Sequence, residues 1–187
     1  FCLSRGLGDV YKRQILADVE QEQLFTLWGE LREQGFATPN VGLLTDIICC
    51  PGGDFCSLAN AKSIPVAEAI QRRFDSLDYL FDIGDIDLNI SGCMNACGHH
   101  HVGHIGILGV DKKGQEFYQV SLGGSAGRDA SLAQILGPSF AQDDMPDVID
   151  KIVNVYVEQR TEEESFIDTF RRIGVAPFKE RVYAANH

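Results

Sequence analysis

Five of the six cysteines occur in two short segments, and this clustering limits the possible folds more than any other feature of the sequence. The first segment reads CCPGGDFC at 49–56, and the second reads CMNAC at 93–97. Each follows an apolar, strand-like stretch, and ligands usually bind in the loops that follow the strands of an α/β sheet. No secretory signal is visible, so the clustering indicates metal or redox chemistry rather than structural disulfides.

The spacing of these cysteines favours an iron–sulfur cluster. A cubane cluster takes one thiolate for each iron, four in all. The pattern is Cys-x5-Cys followed later by Cys-x3-Cys, whereas zinc ribbons and bacterial ferredoxins use Cys-x2-Cys pairs. Glycines in both segments let the backbone approach a bulky group and point N–H groups at its sulfurs. Zinc ligation and ordinary buried thiols remain alternatives, and either Cys49 or Cys50 could be the first ligand.

The rest of the sequence predicts strands that alternate with helices. Hydrophobic periodicity and turn residues indicate a helix at 24–34, a buried strand at 41–48, a helix from Pro65, a half-buried strand at 86–90, a hairpin of strands 104–110 and 116–122, a helix at 145–160, and a last helix that begins with a Thr161–Glu164 capping box and ends at Gly174. This alternation predicts an α/β domain with a mixed, α+β-like sheet and flanking helices.

Together the two cysteine segments resemble the cluster motif of sirohaem-dependent sulfite and nitrite reductases. The matching stretches are CPGGDFC at 50–56 and SGCMNACG at 91–98, followed by a strand and a Leu-Gly-Gly loop at 122–124. The resemblance runs in order along nearly all of the chain after residue 14. It implies a 4Fe–4S domain preceded by a remnant of a ferredoxin-like half-domain.

The resemblance also implies roles for individual residues. It assigns the 4Fe–4S cluster to four ligands, Cys50, Cys56, Cys93 and Cys97. Of these, Cys97 also ligates the sirohaem iron and is therefore the residue closest to catalysis. Ser91 and Asn95 match motif positions that lie against the sirohaem. We further expect Arg128, in the glycine-rich loop, to hold sirohaem carboxylates.

The implied activity is the assimilatory six-electron reduction of sulfite to sulfide or of nitrite to ammonia. The electrons come from a flavoprotein reductase or a ferredoxin. An alternative is a cluster-only electron-transfer module without sirohaem. The net charge of −11 disfavours nucleic acid as a partner. No apolar run is long enough to cross a membrane, and we expect a cytoplasmic protein.

Two features depart from the family pattern. Cys49 is an extra thiol beside the first motif cysteine. Where the family can carry a basic residue after the bridging cysteine, this sequence has His99-His100-His101. Adjacent histidines cannot all face one ion, so we expect packing, or a place near the sirohaem carboxylates, for these side chains.

The sequence divides into three parts. Residues 1–14 resemble a translated adapter or junction, and we exclude them, with Cys2, from the fold. Residues 15–40 are interpreted as the ferredoxin-like remnant, and residues 41–187 as the domain that binds the cluster and sirohaem. We expect the family's upstream basic residues to belong to a missing N-terminal region of the same enzyme.

This organisation predicts that the chain is inactive by itself. Without residues 1–14 it has thirteen basic and twenty-six acidic residues, too little positive charge to draw an oxyanion to a carboxylate-rich haem. The purified chain should bind sirohaem poorly and show no turnover of sulfite or nitrite with reduced methyl viologen. Adding the N-terminal region should restore both, whereas steady turnover by the chain alone would contradict the prediction.

Overall fold

The computed structural model describes residues 16–184, which fall into two compact units divided after Val41. In the described part of the first unit, the predicted helix is present as α1 (Leu24–Glu33). None of its residues is buried, so its packing contributes little to the unit. The interpretation of residues 1–14 as a junction falls outside the described residues.

The second unit contains the cysteine segments and is built on a mixed sheet. Its five described strands lie in chain order across the sheet: β1 (Ile48–Cys49), β2 (Leu88–Ser91), β3 (Ile105–Lys112), β4 (Gln115–Leu122) and β5 (Gln134–Ile135). The first three strands are parallel, and β4 and β5 continue the sheet in antiparallel fashion. This arrangement confirms the predicted mixed α/β class.

Five helices accompany this sheet: α2 (Ile64–Arg73), α3 (Leu77–Ile83), α4 (Met145–Gln159), α5 (Phe166–Ile173) and α6 (Ala176–Tyr183). The longest, α4, begins with a proline in its first turn and buries seven side chains, so it forms much of the core. The sequence predicted α2 and α4 but not the short α3 and α6. No described helix is long and apolar enough to span a membrane.

The predicted hairpin is confirmed as β3 and β4, joined by a two-residue turn. Lys113 and Gly114 both have positive φ, 58° and 80°, as a tight hairpin turn of this hand requires. The Asp111 carboxylate accepts the Gly114 N–H at 3.2 Å and closes the turn. The strands are longer than predicted because pairing continues to Lys112 and Gln115.

The predicted strand at 41–48 is wrong over most of its length, since only Ile48 and Cys49 pair as a strand. Gly42 has φ +80°, and its N–H donates to the Asp46 carboxylate at 2.9 Å. The Asp46 N–H in turn donates to the Leu43 carbonyl at 2.8 Å. Turn chemistry therefore places Leu43 and Leu44 in the core outside any strand, whereas Val41 is exposed.

Two further predictions need correction. All four residues of β2 are buried, so this strand is not half-exposed; it lies inside the sheet between β1 and β3. The helix α5 begins after Ser165, whose side chain accepts the Asp168 N–H as the cap. Thr161 and Glu164 form a turn before it, in which the Glu164 carboxylate accepts the Thr161 N–H at 3.1 Å.

Tyr156 joins three parts of the core. This α4 side chain is 2% exposed, and its hydroxyl lies 2.9 Å from the Ile83 carbonyl and 3.0 Å from the Glu164 carbonyl. It therefore ties α4 to the end of α3 and to the turn before α5. A buried carbonyl that loses its donor costs free energy.

We predict that Tyr156→Phe lowers the free energy of unfolding by about 1–3 kcal/mol, because buried carbonyls lose their hydroxyl donor. Urea denaturation followed by circular dichroism measures this change. Tyr79→Phe, on the half-buried surface of α3, is the control and should have a smaller effect. Equal stabilities of Tyr156→Phe and the unaltered chain would contradict the assignment.

Candidate iron–sulfur centre

The parallel pairing of β1 and β2 brings the two cysteine segments together. Cys49 pairs with Ile90, and the Cys50 N–H donates to the Ile90 carbonyl at 3.1 Å. Because parallel strands end at the same edge of a sheet, the segments after Cys49 and after Ser91 start side by side. The sheet therefore places all four motif cysteines at one edge.

The side chain of Cys50 lies in a small polar site. Cys50 is 7% exposed, and its Sγ accepts the Gly92 N–H at 3.0 Å. The Ser63 hydroxyl lies 3.6 Å from the same sulfur. The neighbouring Cys49 thiol donates instead to the Cys50 carbonyl at 3.2 Å. N–H and O–H groups aimed at a sulfur stabilise a thiolate, so the geometry favours Cys50 over Cys49 as the first ligand.

The first segment folds tightly around its glycines. Gly52 has φ +63°, and the Cys56 N–H donates to its carbonyl at 2.9 Å. The Gly53 N–H donates to the Ala61 carbonyl at 2.9 Å, which closes the loop that contains Cys56. Cys56 itself is half-buried. These bonds fix where Cys56 lies relative to Cys50.

The second segment winds back on β2. The Gly98 N–H donates to the Ser91 hydroxyl at 3.1 Å, and Ser91 is 1% exposed. A Cβ on Gly98 would lie 2.0 Å from the Ile90 carbonyl oxygen, so only glycine fits there. Cys93 is buried at one end of this turn, whereas Cys97 at the other end is exposed.

The predicted sirohaem contacts lie in different environments. Asn95 is exposed beside Cys97, as a cofactor contact requires. The Ser91 hydroxyl is engaged with the Gly98 N–H, so within the described structure it supports the backbone of the cysteine turn. Arg128 is exposed in a loop closed by paired backbone bonds between Ser125 and Ser131, both 3.0 Å.

The histidines pack beside the second segment rather than forming a common centre. His99 has φ +54°, and its carbonyl accepts the Asn89 side-chain N–H at 3.1 Å. Burial, and then the neighbouring His101, lower the pKa of His100. Burial also lowers the pKa of His104, although the Asp87 carboxylate opposes this effect. A lowered pKa at His100 and His104 disfavours the positive charge that the family's basic residue would supply.

The four thiols fit a cluster better than a single ion. Among residues 16–184, no three His, Cys, Asp or Glu side chains converge closely enough to hold one metal ion. A cubane places each thiolate on a different iron, so its ligands need not converge on one point. The donor set, the close glycines and the N–H aimed at Cys50 all suit such a group.

Comparison with known proteins identifies the family. Residues 42–186 match the nitrite and sulphite reductase 4Fe-4S domain, so the chain belongs to this family. Sulfite reductase (ferredoxin) of Mycobacterium tuberculosis is 29% identical over 166 residues, which cover 83% of this chain and 30% of the relative. Ferredoxin–nitrite reductase of Synechococcus elongatus is 28% identical over 152 residues, 77% of this chain and 28% of that one.

A solved structure agrees with these relatives. The NirA protein of Mycobacterium tuberculosis superimposes with a TM-score of 0.75 at 27% identity, over 90% of this chain and 32% of that one. The chain thus spans about 30% of the length of the relatives that it matches. The predicted membership of the sulfite and nitrite reductase family, with its 4Fe–4S domain, is confirmed.

Sequence reasoning pointed to the cysteines but missed Ser63, whose hydroxyl lies against the Cys50 sulfur. Ser63 precedes Ile64 and Pro65 and reads as an ordinary helix cap, so nothing in the sequence pointed to its contact with Cys50. The glycines of both segments were expected to allow close approach and to let backbone N–H groups point at sulfur. The Gly92 N–H does so, since it donates to Cys50 Sγ at 3.0 Å.

The geometry yields a prediction about the ligands. Replacing Cys50, Cys56, Cys93 or Cys97 with serine should abolish the anaerobically reconstituted cluster, since each iron would lose its protein thiolate. Cys49→Ser is the matched control and should keep full iron and acid-labile sulfide. If Cys49→Ser lost the cluster while Cys50→Ser kept it, the register would be wrong by one residue.

Proposed function

We propose that this chain provides the cluster- and sirohaem-binding part of an enzyme that reduces sulfite to sulfide or nitrite to ammonia. One observation supports this most directly: the exposure of the four motif cysteines. Cys50 and Cys93 are buried and Cys56 is half-buried, but Cys97 is exposed. A cluster ligand with an open side can share its sulfur with a second metal centre, as the family's bridging cysteine does.

In this proposal the residues of the chain hold and orient the two cofactors. Cys50, Cys56 and Cys93 anchor the cluster at the sheet edge, and Cys97 presents its sulfur to the sirohaem iron. When bound, the two coupled cofactors supply the six-electron redox chemistry. Ser91 keeps the Cys97 turn in place through the Gly98 N–H, and Asn95 lines the exposed side next to Cys97.

Arg128 is the proposed contact for sirohaem carboxylates. Its loop follows β4 directly, and the Gly123 N–H donates to the His104 carbonyl at 3.0 Å, which fixes the base of the loop. Arg128 projects from the exposed part of this loop. A guanidinium can bind a carboxylate with two parallel hydrogen bonds.

The names of the relatives favour ferredoxin over a flavoprotein reductase as the electron donor, because the sulfite and nitrite reductases compared above are both named for ferredoxin. These names are compatible with either sulfite or nitrite as the substrate.

We propose a cytoplasmic location, since thiolate ligands persist best in a reducing compartment. We also propose that residues 15–40 and 41–187 belong to separate domains of the enzyme.

The proposal predicts that Cys97 alone couples the two cofactors. In an enzyme form assembled with both cofactors, Cys97→Ser should remove the magnetic coupling between sirohaem and cluster, even if some cluster iron remains. Mössbauer or electron paramagnetic resonance spectra measure this coupling. Cys49→Ser, a nearby thiol replacement, should leave the coupling unchanged. Intact coupling in Cys97→Ser would count decisively against the proposal.

A further inference from the structure

Ser63 stands at the N-terminal cap of α2 but does not cap it. Serine is favoured at this position because its oxygen usually accepts a backbone N–H of the first turn. In the described structure the Ser63 side chain makes no such bond. The residue is nevertheless completely buried. A buried hydroxyl without its usual partner requires another one.

The other partner is the Cys50 sulfur. The Ser63 Oγ lies 3.6 Å from Cys50 Sγ, within hydrogen-bonding distance for sulfur. Glycines of both cysteine segments crowd the same hydroxyl: a Cβ on Gly52 would lie 2.7 Å from it, and a Cβ on Gly92 would lie 3.0 Å from it. The hydroxyl therefore occupies the point where the two segments meet. A thiolate can only accept a hydrogen bond, so a deprotonated Cys50 would make Ser63 the donor.

Two side chains of β4, Tyr118 and Glu116, hold Ser63 in this position, and together they are called the clasp. The Tyr118 hydroxyl donates to the Lys62 carbonyl at 2.8 Å, and the Lys62 N–H donates to the Glu116 carboxylate at 3.0 Å. The backbone carbonyl and N–H of Lys62, the residue before Ser63, are thus both bonded to side chains of β4. Burial and the adjacent Glu116 carboxylate raise the pKa of Tyr118, so its hydroxyl keeps its proton and stays a donor.

The Lys62 side chain adds a third tie, to the first cysteine segment. Its Nζ lies 3.4 Å from the Asp54 carboxylate. The preceding residue, Ala61, donates its N–H to the Gly92 carbonyl at 3.1 Å. The short stretch 60–63 therefore contacts both cysteine segments and β4. Its position determines the direction in which the Ser63 hydroxyl points.

We propose that Ser63 tunes the cluster by donating a hydrogen bond to the Cys50 thiolate, and that Tyr118 and Glu116 are positioning residues that hold it there. The inference rests on the proposed function, because it takes Cys50 as a cluster ligand. Reduction adds negative charge to a cluster, and hydrogen bonds to its sulfurs stabilise that charge. Removing the hydroxyl therefore shifts the reduction potential to more negative values.

The test compares midpoint potentials of the reconstituted full chain by redox titration, followed by electron paramagnetic resonance. Ser63→Ala should keep its iron and acid-labile sulfide but show a negative shift, whereas Ser63→Thr, which retains the hydroxyl, should match the unaltered chain. Ser57→Ala, an exposed serine beside Cys56, is the control and should not shift. Tyr118→Phe should give a smaller negative shift.

A second measurement uses the apo chain. Amide hydrogen exchange at Gly53 and Ala61 should speed up in Tyr118→Phe and Glu116→Ala, because the clasp no longer restrains the loop. If Ser63→Ala assembles no cluster while Ser63→Thr assembles one with the original potential, the hydroxyl is still shown to act. An unshifted potential in Ser63→Ala overturns the inference.

The ligand assignment of Cys50 and the role of Ser63 are tested by different variants. If Cys50→Ser kept a complete cluster, Cys50 would not be a ligand, and the proposed site would be wrong. An unshifted Ser63→Ala together with loss of the cluster in Cys50→Ser would remove only the role of Ser63. Unchanged exchange in both clasp variants would remove only the positioning role of Tyr118 and Glu116.

Discussion

The contact at Gly92 is the interaction on which the rest of the site depends. Its N–H donates to Cys50 Sγ, and its carbonyl accepts the N–H groups of Asn60 and Ala61 at 2.8 and 3.1 Å. A Cβ on Gly92 would lie 2.7 Å from the Ala61 carbonyl oxygen and 2.9 Å from the Gly52 Cα. A side chain at this position would push the two cysteine segments apart, so the close contact requires glycine.

The sheet determines where this contact lies. The parallel register of β1 and β2 brings both segments to one edge, and β3 supports them from the next position in the sheet. A Cβ on Gly109 of β3 would lie 2.8 Å from the Gly92 carbonyl oxygen and 2.7 Å from the Ala61 Cβ. Three stretches of chain therefore pack closely here: β3 at Gly109, the second cysteine segment at Gly92, and the stretch that contains Ala61. Strand pairing determines where the cysteines lie more than their own side-chain contacts do.

The sequence predicted features whose signals are local. The hairpin carries its own turn at Lys113–Gly114, and α4 has a clear helical period, so both were found. The run at 41–48 was misread because an apolar stretch resembles a buried strand, while the Gly42–Asp46 turn that interrupts it leaves little trace. In the site, cysteine spacing is local, but Ser63 and Tyr118 act through contacts 13 and 56 residues away along the chain, which no local pattern encodes.

Two dipoles, a backbone N–H and a hydroxyl, contact the Cys50 sulfur in the described structure. A cluster with four thiolates is negative, and the chain already has a net charge of −11. The ammonium group of Lys62, a residue that follows the first segment, lies 3.4 Å from the Asp54 carboxylate and is therefore partly neutralised. The groups that point at the sulfur are the Gly92 N–H and the Ser63 hydroxyl, both held in place by the fold. Such preorganised dipoles stabilise negative charge without reorganising when an electron arrives, which suits the proposed cluster site.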